Sequence, residues 1–442
     1  MVHYQPPKDW QQWVEWLAAG LHGRSRWRLS LILLGIVFAR GRRTVTSWLR
    51  AVGISDDFAD YYYFLQPLGR KSKELAERLF SVLLVRLVSG ERVLLAVDDT
   101  TTKRYGPQVQ GAGIHHNPTP GPAAQKFLYG HVWVTISLVL RHPLWQTIGL
   151  PLLGLLYVRA KDIDQIPKEH GWQFRTKLEL AVRPLLRFAQ LAADAGKQVW
   201  IVADGAYAKR PFLRPLRARG VTVVSRLRKD AALRTVPPSR KTRRRGRPRK
   251  YGAQRIHLAR RAAHPAGWQQ VECMVYGQQT VKTFKTFLAT YRPADGLIRV
   301  VIVKEDHGCQ FFFCTDPEVT PGEIIETFAD RAAIEQDFHD VKEVWGAGQQ
   351  QVRNIWTNVA AYNLNLWVQT LVECWAWNKP AEEIRNRQDS PWDDPQRRPS
   401  HADRRKALRR EILHNEYLSL AATHRLSTKV RGLYECLLQL AV

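Results

Sequence analysis

The stretch ERVLLAVDDT, residues 91–100, runs from an apolar segment directly into two aspartates and a threonine. A second stretch, KQVWIVADG at residues 197–205, has the same form and ends in an aspartate and a glycine. Short apolar runs of this kind are typical of buried strands. Because neighbouring strands of a sheet place their carboxyl ends side by side, Asp98, Asp99 and Asp204 are expected to meet at one edge.

The pattern around these stretches predicts a mixed α/β fold. Two further apolar runs, at residues 129–140 and 144–158, are predicted strands, and residues 174–196 have the apolar spacing of an amphipathic helix. The run VTVVSRLR at residues 221–228 adds another strand. An Asp–Gly pair after a strand is also a common turn, so the acids need support from elsewhere in the chain.

The composition indicates a folded protein with a polyanionic partner. The chain has 442 residues, and 67 Lys and Arg against 40 Asp and Glu give a net charge of +27. This charge favours nucleic acid as the partner, with an anionic membrane surface as the alternative. The longest apolar runs, residues 29–39 and 132–140, are far shorter than the roughly 18 to 20 residues that span a bilayer. No membrane partner is therefore expected.

Two further patterns concern the compartment of the protein. The N-terminal sequence MVHYQPPKDWQQW lacks the basic and apolar regions of a secretion signal, which predicts a cytoplasmic protein. The cysteines have no paired CxxC spacing and no matching histidines, so we expect reduced thiols and no zinc site. They are Cys273, Cys309, Cys314, Cys374 and Cys436.

The stretch FADRAAIEQDFHDVKEVWG, residues 328–346, is predicted to lie on one long helix. Phe328, Arg331, Glu335 and Lys342 stand at offsets that place them within roughly 60° of one another around a helix. One helix face would then carry an aromatic ring, two cations and a carboxylate. The alternative is a solvated face in which Arg331 and Glu335 form an ordinary intrahelical ion pair.

Converging carboxylates have a specific use in phosphodiester chemistry. Two divalent cations about 3.5 to 4 Å apart can activate an attacking oxygen and stabilise a leaving one. Carboxylate oxygens suit Mg²⁺ or Mn²⁺. Asp98 or Asp99 together with Asp204 would supply two acids, and Glu335 is the obvious third. The strand acids and the helix signature therefore support the same hypothesis.

This combination resembles the DDE transposases, which carry Asp, Asp and Glu on two strands and a later helix of an RNase H-like core. Residues 328–342 resemble the Y-(2)-R-(3)-E-(6)-K signature of the cut-and-paste insertion-sequence group, with the same spacings. The stretches VADGAYAK at residues 202–209 and VVSRLR at residues 223–228 are also similar to that group. Phe328 replaces the signature tyrosine, so any hydrogen bond from a tyrosine hydroxyl to a DNA phosphate is absent or supplied by another residue.

The resemblance implies an RNase H-like, mixed five-stranded sheet with flanking helices, a β-rich insertion, and helical N- and C-terminal regions. It implies a metal-dependent endonuclease that uses two Mg²⁺ ions, with Mn²⁺ as a substitute, to cut insertion-sequence ends and join them to target DNA. Relatives also form a hairpin intermediate. The implied partners are double-stranded DNA and a second copy of the chain, and the implied location is the prokaryotic nucleoid.

In the predicted site, Arg331 and Lys342 hold phosphates near the scissile bond, beside the ring of Phe328.

The patterns and the resemblance together divide the chain into five segments. The predicted segments are a helical DNA-binding domain at residues 1–88, the first part of the catalytic core at 89–228, the basic insertion at 229–317, the second part of the core at 318–378, and a helical C-terminal region at 379–442.

The choice between Asp98 and Asp99 stays open at this stage. Either residue gives an Asp-x-Thr pattern, with Thr100 or Thr101 respectively. Because side chains alternate between the two faces of a strand, only one of the two carboxylates can face the metal ions. We slightly prefer Asp99 and retain both residues as candidate metal ligands.

The segment RKTRRRGRPRK, residues 240–250, has eight Lys or Arg in eleven positions. Its Arg-Gly-Arg-Pro-Arg core resembles an AT-hook, in which arginines enter a narrow minor groove. A basic loop that grips phosphates is the alternative. The candidate DNA-binding residues here are Arg245, Arg247, Arg249 and Lys250. Trp268 could stack on an unpaired base, but a role in the core is favoured.

Two other functions are compatible with the sequence. One is a metal-dependent nuclease on the same RNase H-like core that does not transpose, which strand-transfer activity would distinguish. The other is a catalytically silent DNA-binding descendant, which would bind DNA without metal-dependent cleavage. A silent descendant is expected to have lost one acid, whereas all three positions are filled in this chain.

Overall fold

The computed structural model describes residues 4–117, 126–238, 249–385, 392–394, 396–423, 430 and 434. Its first part is helical, as the sequence predicts, because apolar residues recur at helical spacing between Gly and Pro residues. Thr44 caps one of these helices by accepting a hydrogen bond from the backbone N–H of Ser47. The five helices are α1 (Lys8–Ala18), α2 (Arg26–Phe38), α3 (Val45–Ala51), α4 (Phe58–Arg70) and α5 (Ser72–Arg86).

Twelve strands form one mixed sheet within the described residues. They are β1 (Arg92–Lys103), β2 (Gly113–His116), β3 (Phe127–His142), β4 (Gln146–Tyr157), β5 (Gln198–Ala203), β6 (Thr222–Arg226), β7 (Leu233–Arg234), β8 (Arg255–Ile256), β9 (Gln269–Val275), β10 (Gln278–Tyr291), β11 (Gly296–Glu305) and β12 (Gly308–Cys314). The order is β2–β3–β1–β5–β6–β12–β11–β10–β7–β8, with β4 paired to β3 and β9 paired to β10.

The sheet is larger than the five strands that the sequence predicts. Strands β9 to β12 lie where a β-rich insertion was expected, but they continue the main sheet. The connection is made by β12, which runs antiparallel to β6 with Cys314 opposite Val224. Along the central strands, β3 is antiparallel to β1, whereas β1, β5 and β6 are mutually parallel neighbours. The sheet is therefore mixed, as predicted.

Eight further helices follow β1 within the described residues, and several of them pack on the two faces of the central strands. They are α6 (Lys177–Asp194), α7 (Arg210–Arg217), α8 (Leu258–Ala263), α9 (Pro321–Asp330), α10 (Ala332–Glu343), α11 (Ile355–Ala376), α12 (Ala381–Ile384) and α13 (His401–Thr423). Leu95 of β1 shares a core with Phe188 of α6, whereas Ala96 packs with Ile334 of α10. Successive residues of β1 thus face different helices, which decides where each aspartate points.

The predicted long helix over the signature is divided at Arg331. Helix α9 ends at Asp330 and α10 begins at Ala332. At the junction the Arg331 N–H donates to the Phe328 carbonyl, and the Ile334 N–H donates to the Arg331 carbonyl. These three-residue hydrogen bonds tighten the backbone there, so the signature lies on two successive helices.

Helix α13 joins the N-terminal helices to α10 through buried arginines. Arg405 donates to the carbonyls of Val37 and Ala39 at the end of α2, at 3.2 and 2.9 Å. The same guanidinium donates to the carbonyl of Val344 just after α10, at 2.8 Å. Arg409 also donates to the Val37 and Ala39 carbonyls. Cationic groups satisfy the free carbonyls of both helix ends.

Replacing Gly69 by alanine is expected to destabilise the fold by about 1 to 3 kcal/mol. A Cβ at residue 69 would lie 1.9 Å from the backbone oxygen of Trp356, where α4 crosses α11. The measurement is the melting temperature, with Gly23→Ala as a control because nothing lies within 4 Å of its added Cβ. Equal melting temperatures in the two variants would contradict the close approach of these helices.

Candidate active site

Asp98 and Asp204 occupy neighbouring positions in the sheet. The parallel register of β1 and β5 ends with Val97 opposite Ala203, so the next residue on each strand is an aspartate. Only β5 ends there; β1 continues to Lys103 in antiparallel pairing with β3. The expectation that both acids follow strand ends is therefore wrong for β1, whose run of threonines extends the strand.

Asp98 and Asp99 point to opposite faces of the sheet. Asp98 Oδ2 accepts a 2.8 Å ion pair from Nη1 of Arg331, on the side covered by α10. Asp99 Oδ2 instead accepts a 2.5 Å ion pair from Lys177 at the start of α6. The side-chain directions thus do not support our preference for Asp99, because its carboxylate faces away from Glu335.

Arg331 connects the strand acid to the helix acid. One nitrogen of its guanidinium pairs with Asp98, and another donates to Oε1 of Glu335. The Arg331 side chain is 14% exposed, whereas the Glu335 side chain is 58% exposed. The intrahelical pair considered as the alternative is present, but its arginine also binds an acid from β1. The pair therefore belongs to a tertiary cluster and not to an isolated helix face.

The other two signature residues lie on the same side of the sheet. Lys342 Nζ donates a 2.6 Å hydrogen bond to the hydroxyl of Thr100, two residues after Asp98 on β1. Burial lowers the pKa of Lys342. Phe328 is half-buried, with its ring centroid 4.7 Å from that of Phe312 and the Arg331 guanidinium over its face. In this structure Phe328 packs beside the cluster, and its contact with DNA remains a prediction.

The pKa of the Asp98 carboxyl lies above that of an ordinary aspartate. Burial raises its pKa to about 6, and Asp99 and Asp204 add to this by repulsion, while Arg331 acts in the opposite direction. Burial is the largest cause of the raised pKa of the Tyr207 hydroxyl, and Asp99, Asp98 and Asp204 raise it further. Asp204 is thus within electrostatic reach of the β1 acids and completes the group of carboxylates on this edge.

Metal-dependent activity is expected to fall as the pH drops through about 6. Above that pH the Asp98 carboxyl is ionised and can bind a cation, whereas below it a proton competes for the same oxygens. The raised pKa places this loss at higher pH than for an ordinary aspartate. The measurement is the Mg²⁺ concentration that gives half-maximal DNA cleavage, at pH values from about 5.5 to about 7.5. An unchanged concentration across this range would contradict the prediction.

The donor atoms fit a hard divalent cation, but they are not gathered around one point. Within the described ranges, no group of three His, Cys, Asp or Glu side chains is arranged to hold a metal ion. The physical reason is visible: the Arg331 guanidinium lies between Asp98 and Glu335 and neutralises both. A cation bound by these two acids would have to displace the guanidinium, which could then turn to a phosphate.

The basic segment lies apart from these acids in the sequence. Arg245 and Arg247 fall outside the described residues. Arg249 is exposed, and Lys250 forms a 2.8 Å ion pair with Asp295. This ion pair, with a hydrogen bond from the Tyr251 hydroxyl, lowers the pKa of Asp295 to about 2. Lys250 therefore has a structural partner as well as its predicted role on DNA.

Two other side chains, Trp268 and Lys177, bear on the predicted site. Trp268 is half-buried against the core, and the Lys285 ammonium lies 4.4 Å from its ring centroid, as expected for a packing residue. Sequence reasoning missed Lys177, which pairs with Asp99. Its position at the start of a predicted amphipathic helix gave no signal, because the pairing depends on which sheet face that helix covers.

Four of the five cysteines lie within the described residues. Cys273, Cys314 and Cys374 are buried free thiols, and Cys309 is a half-buried one. Burial raises the pKa of Cys314 to about 12. Cys436 lies outside the described residues. Over the described part of the chain, no helix is both long and apolar enough to cross a membrane.

A family model described as DDE superfamily endonuclease matches residues 17–288, which is more than half of the chain. The chain belongs to the DDE superfamily of endonucleases. The chain therefore belongs to a family of enzymes that act on DNA, and the nucleases of this family generally use divalent metal ions. The match includes Asp98 and Asp204 and ends before Glu335. No curated protein matches the chain.

Proposed function

We propose that the chain is a DNA transposase that cuts at the ends of an insertion sequence and joins them to target DNA. The observation that carries the proposal is the meeting of Asp98 with the signature residues Arg331, Glu335 and Lys342 on one face of the sheet. Residues far apart in sequence converge there with the chemistry that phosphodiester cleavage needs. The central strand run β4–β3–β1–β5–β6 supports an RNase H-like core.

In this proposal Asp98, Asp204 and Glu335 hold two Mg²⁺ ions, or Mn²⁺ in their place. The ions would activate water and then a 3′ hydroxyl, and would stabilise the leaving oxygen. Arg331 neutralises the acids before DNA binds and pairs with a phosphate afterwards, using its planar fork. Lys342 supplies a point charge to a neighbouring phosphate. Asp99 positions α6 through Lys177 and does not bind metal.

The remaining parts of the proposal concern partners and place. The net charge of +27 supports binding of double-stranded DNA at transposon ends and target, and a location on the nucleoid. The helices before residue 88 and the basic segment with Arg245, Arg247, Arg249 and Lys250 are the proposed DNA contacts outside the core. Joining two ends also requires two active sites, so a homodimer on DNA is part of the proposal.

Cleavage and joining of a supercoiled plasmid that carries the element's ends test this function. With Mg²⁺ we expect an excised fragment and joined products, and none with EDTA in its place. Cleavage without joined products would favour a non-transposing nuclease on the same core. DNA binding without any metal-dependent cleavage would overturn the enzymatic proposal in favour of a silent descendant.

A further inference from the structure

A groove of about 880 Å³ opens beside the candidate active site. Thr101, Thr102 and Lys103 form part of its floor, in the stretch of β1 that extends beyond the last residue paired with β5. Within the described residues no other strand pairs with this edge of β1. Lys342, which bonds to Thr100, lines the groove at the catalytic side. The groove is therefore continuous with the face that carries Asp98.

The charge of the groove is predominantly positive. Arg42, Lys103 and Lys342 line it, against one carboxylate, Glu343. Lys103 is exposed, and the edge of β1 beyond Val97 pairs with no other strand of the described residues. Cationic side chains are the usual partners of phosphate oxygens. The groove thus suits a chain of phosphates that leaves the active site along β1.

The walls of the groove are held in place by hydrogen bonds between distant segments. The backbone N–H of Arg43 donates to Gln349 Oε1 at 2.8 Å, and Gln350 Nε2 donates to the carbonyls of Arg43 and Gly346. Buried Arg104 donates to the carbonyls of Gly348 and Gln350. The turn after α2 and the loop after α10 are therefore locked together, and the groove is a built feature.

One aromatic side chain indicates which kind of nucleic acid the groove would bind. Tyr105 lines the groove and is 77% exposed, just beyond the end of β1. In a duplex, neighbouring base pairs cover the faces of each base, so an exposed ring can stack only on an unpaired or terminal base. Basic grooves with exposed aromatic rings are typical of single-strand binding sites.

We propose that this groove binds a single-stranded DNA segment next to the scissile phosphate, with phosphates on Arg42 and Lys103 and a base stacked on Tyr105. This inference rests on the proposed function, because it places the strand relative to the cleaved bond. It adds a substrate feature, namely that DNA beside the cut is unpaired when bound.

Binding of fluorescein-labelled dT20, measured by anisotropy in EDTA, tests the proposal. Arg42→Gln and Lys103→Gln are each expected to weaken binding about threefold to tenfold and to lower the slope of log affinity against log salt by about 0.7. The matched control is Lys304→Gln, which removes the same charge from an exposed residue near the end of β11. Groove variants that bind dT20 as tightly as the Lys304 variant would overturn the proposal.

The stacking contact has its own variants. Tyr105→Ala is expected to weaken dT20 binding about fivefold or more, while Tyr105→Phe binds like wild type. Tyr276→Ala, which removes another exposed ring outside the groove, serves as the control. Photocrosslinking of dT20 that carries one 5-iodouracil is expected to label Tyr105. Wild-type affinity of Tyr105→Ala, labelling only elsewhere, or losses confined to a blunt duplex would overturn single-strand binding.

The two proposals fail in different ways. Binding is measured without metal and uses variants outside the acids, so a protein that does not cleave can still bind dT20 in the groove. In that case the groove stands and the transposase proposal falls. Conversely, a wild-type protein that excises and joins, with dT20 binding unaffected by the groove variants, would keep the function and overturn the groove.

Discussion

Glu335→Gln is expected to lower metal-dependent DNA cleavage by at least about a thousandfold, equivalent to about 4 kcal/mol of transition-state stabilisation. The substitution removes the negative charge that a divalent cation needs, while glutamine keeps the size of the side chain. Its amide oxygen can still accept from Arg331, which holds Glu335 in the wild-type protein. Folding and DNA binding are therefore expected to be unchanged.

The comparison needs three measurements on one preparation. They are the initial rate of plasmid cleavage with Mg²⁺, the affinity for the same DNA in EDTA, and the melting temperature. Glu318→Gln is the control, because it removes one exposed carboxylate just before α9 and away from the acids. If the two variants cleave equally well, Glu335 is only part of a solvated helix face, and the proposed site loses its third acid.

Asp98→Asn and Asp99→Asn are expected to differ by at least about a hundredfold in cleavage rate. In our proposal Asp98, which shares the Arg331 guanidinium with Glu335, is a metal ligand, so its loss is expected to cost about a thousandfold or more. Asp99 faces Lys177 on the opposite side of the sheet. Its replacement loosens the start of α6 and is expected to cost less than about tenfold, as for a half-exposed ion pair.

Lys177→Met is the matched variant for this comparison. It breaks the same ion pair from the other side and should reproduce the small effect of Asp99→Asn, because neither residue touches the metal in our proposal. The opposite ranking, with Asp99→Asn inactive and Asp98→Asn active, would mean that the acids used in catalysis face α6. Glu335 could not then share their cation.

Much of this arrangement could be predicted from the sequence because it depends on local patterns. The apolar runs before Asp98 and Asp204 identify two buried strands, and the offsets of Arg331, Glu335 and Lys342 identify one helix face. The convergence of Asp98 and Asp204 follows because neighbouring parallel strands place their carboxyl ends at the same edge of the sheet. Those inferences need only strand and helix periods, which a single sequence contains.

The features that could not be predicted depend on contacts between distant segments. The choice between Asp98 and Asp99 requires knowing that α10 covers the face of Ala96 and that α6 covers the face of Leu95. The pairing of β12 with β6, which enlarges the sheet, is likewise a long-range contact. The extension of β1 had a local signal, since its threonines favour strands, but the two aspartates looked like an end.

The buried guanidinium of Arg405 limits how the molecule can move. It holds the end of α2, the end of α10 and its own helix α13 at once. Separating α2 or α10 from α13 would remove at least one acceptor from a buried cation, which is costly. The predicted boundary near residue 88 is therefore not expected to act as a hinge. If DNA binds the N-terminal helices as we propose, a force on them would pass directly to the helix that carries Glu335.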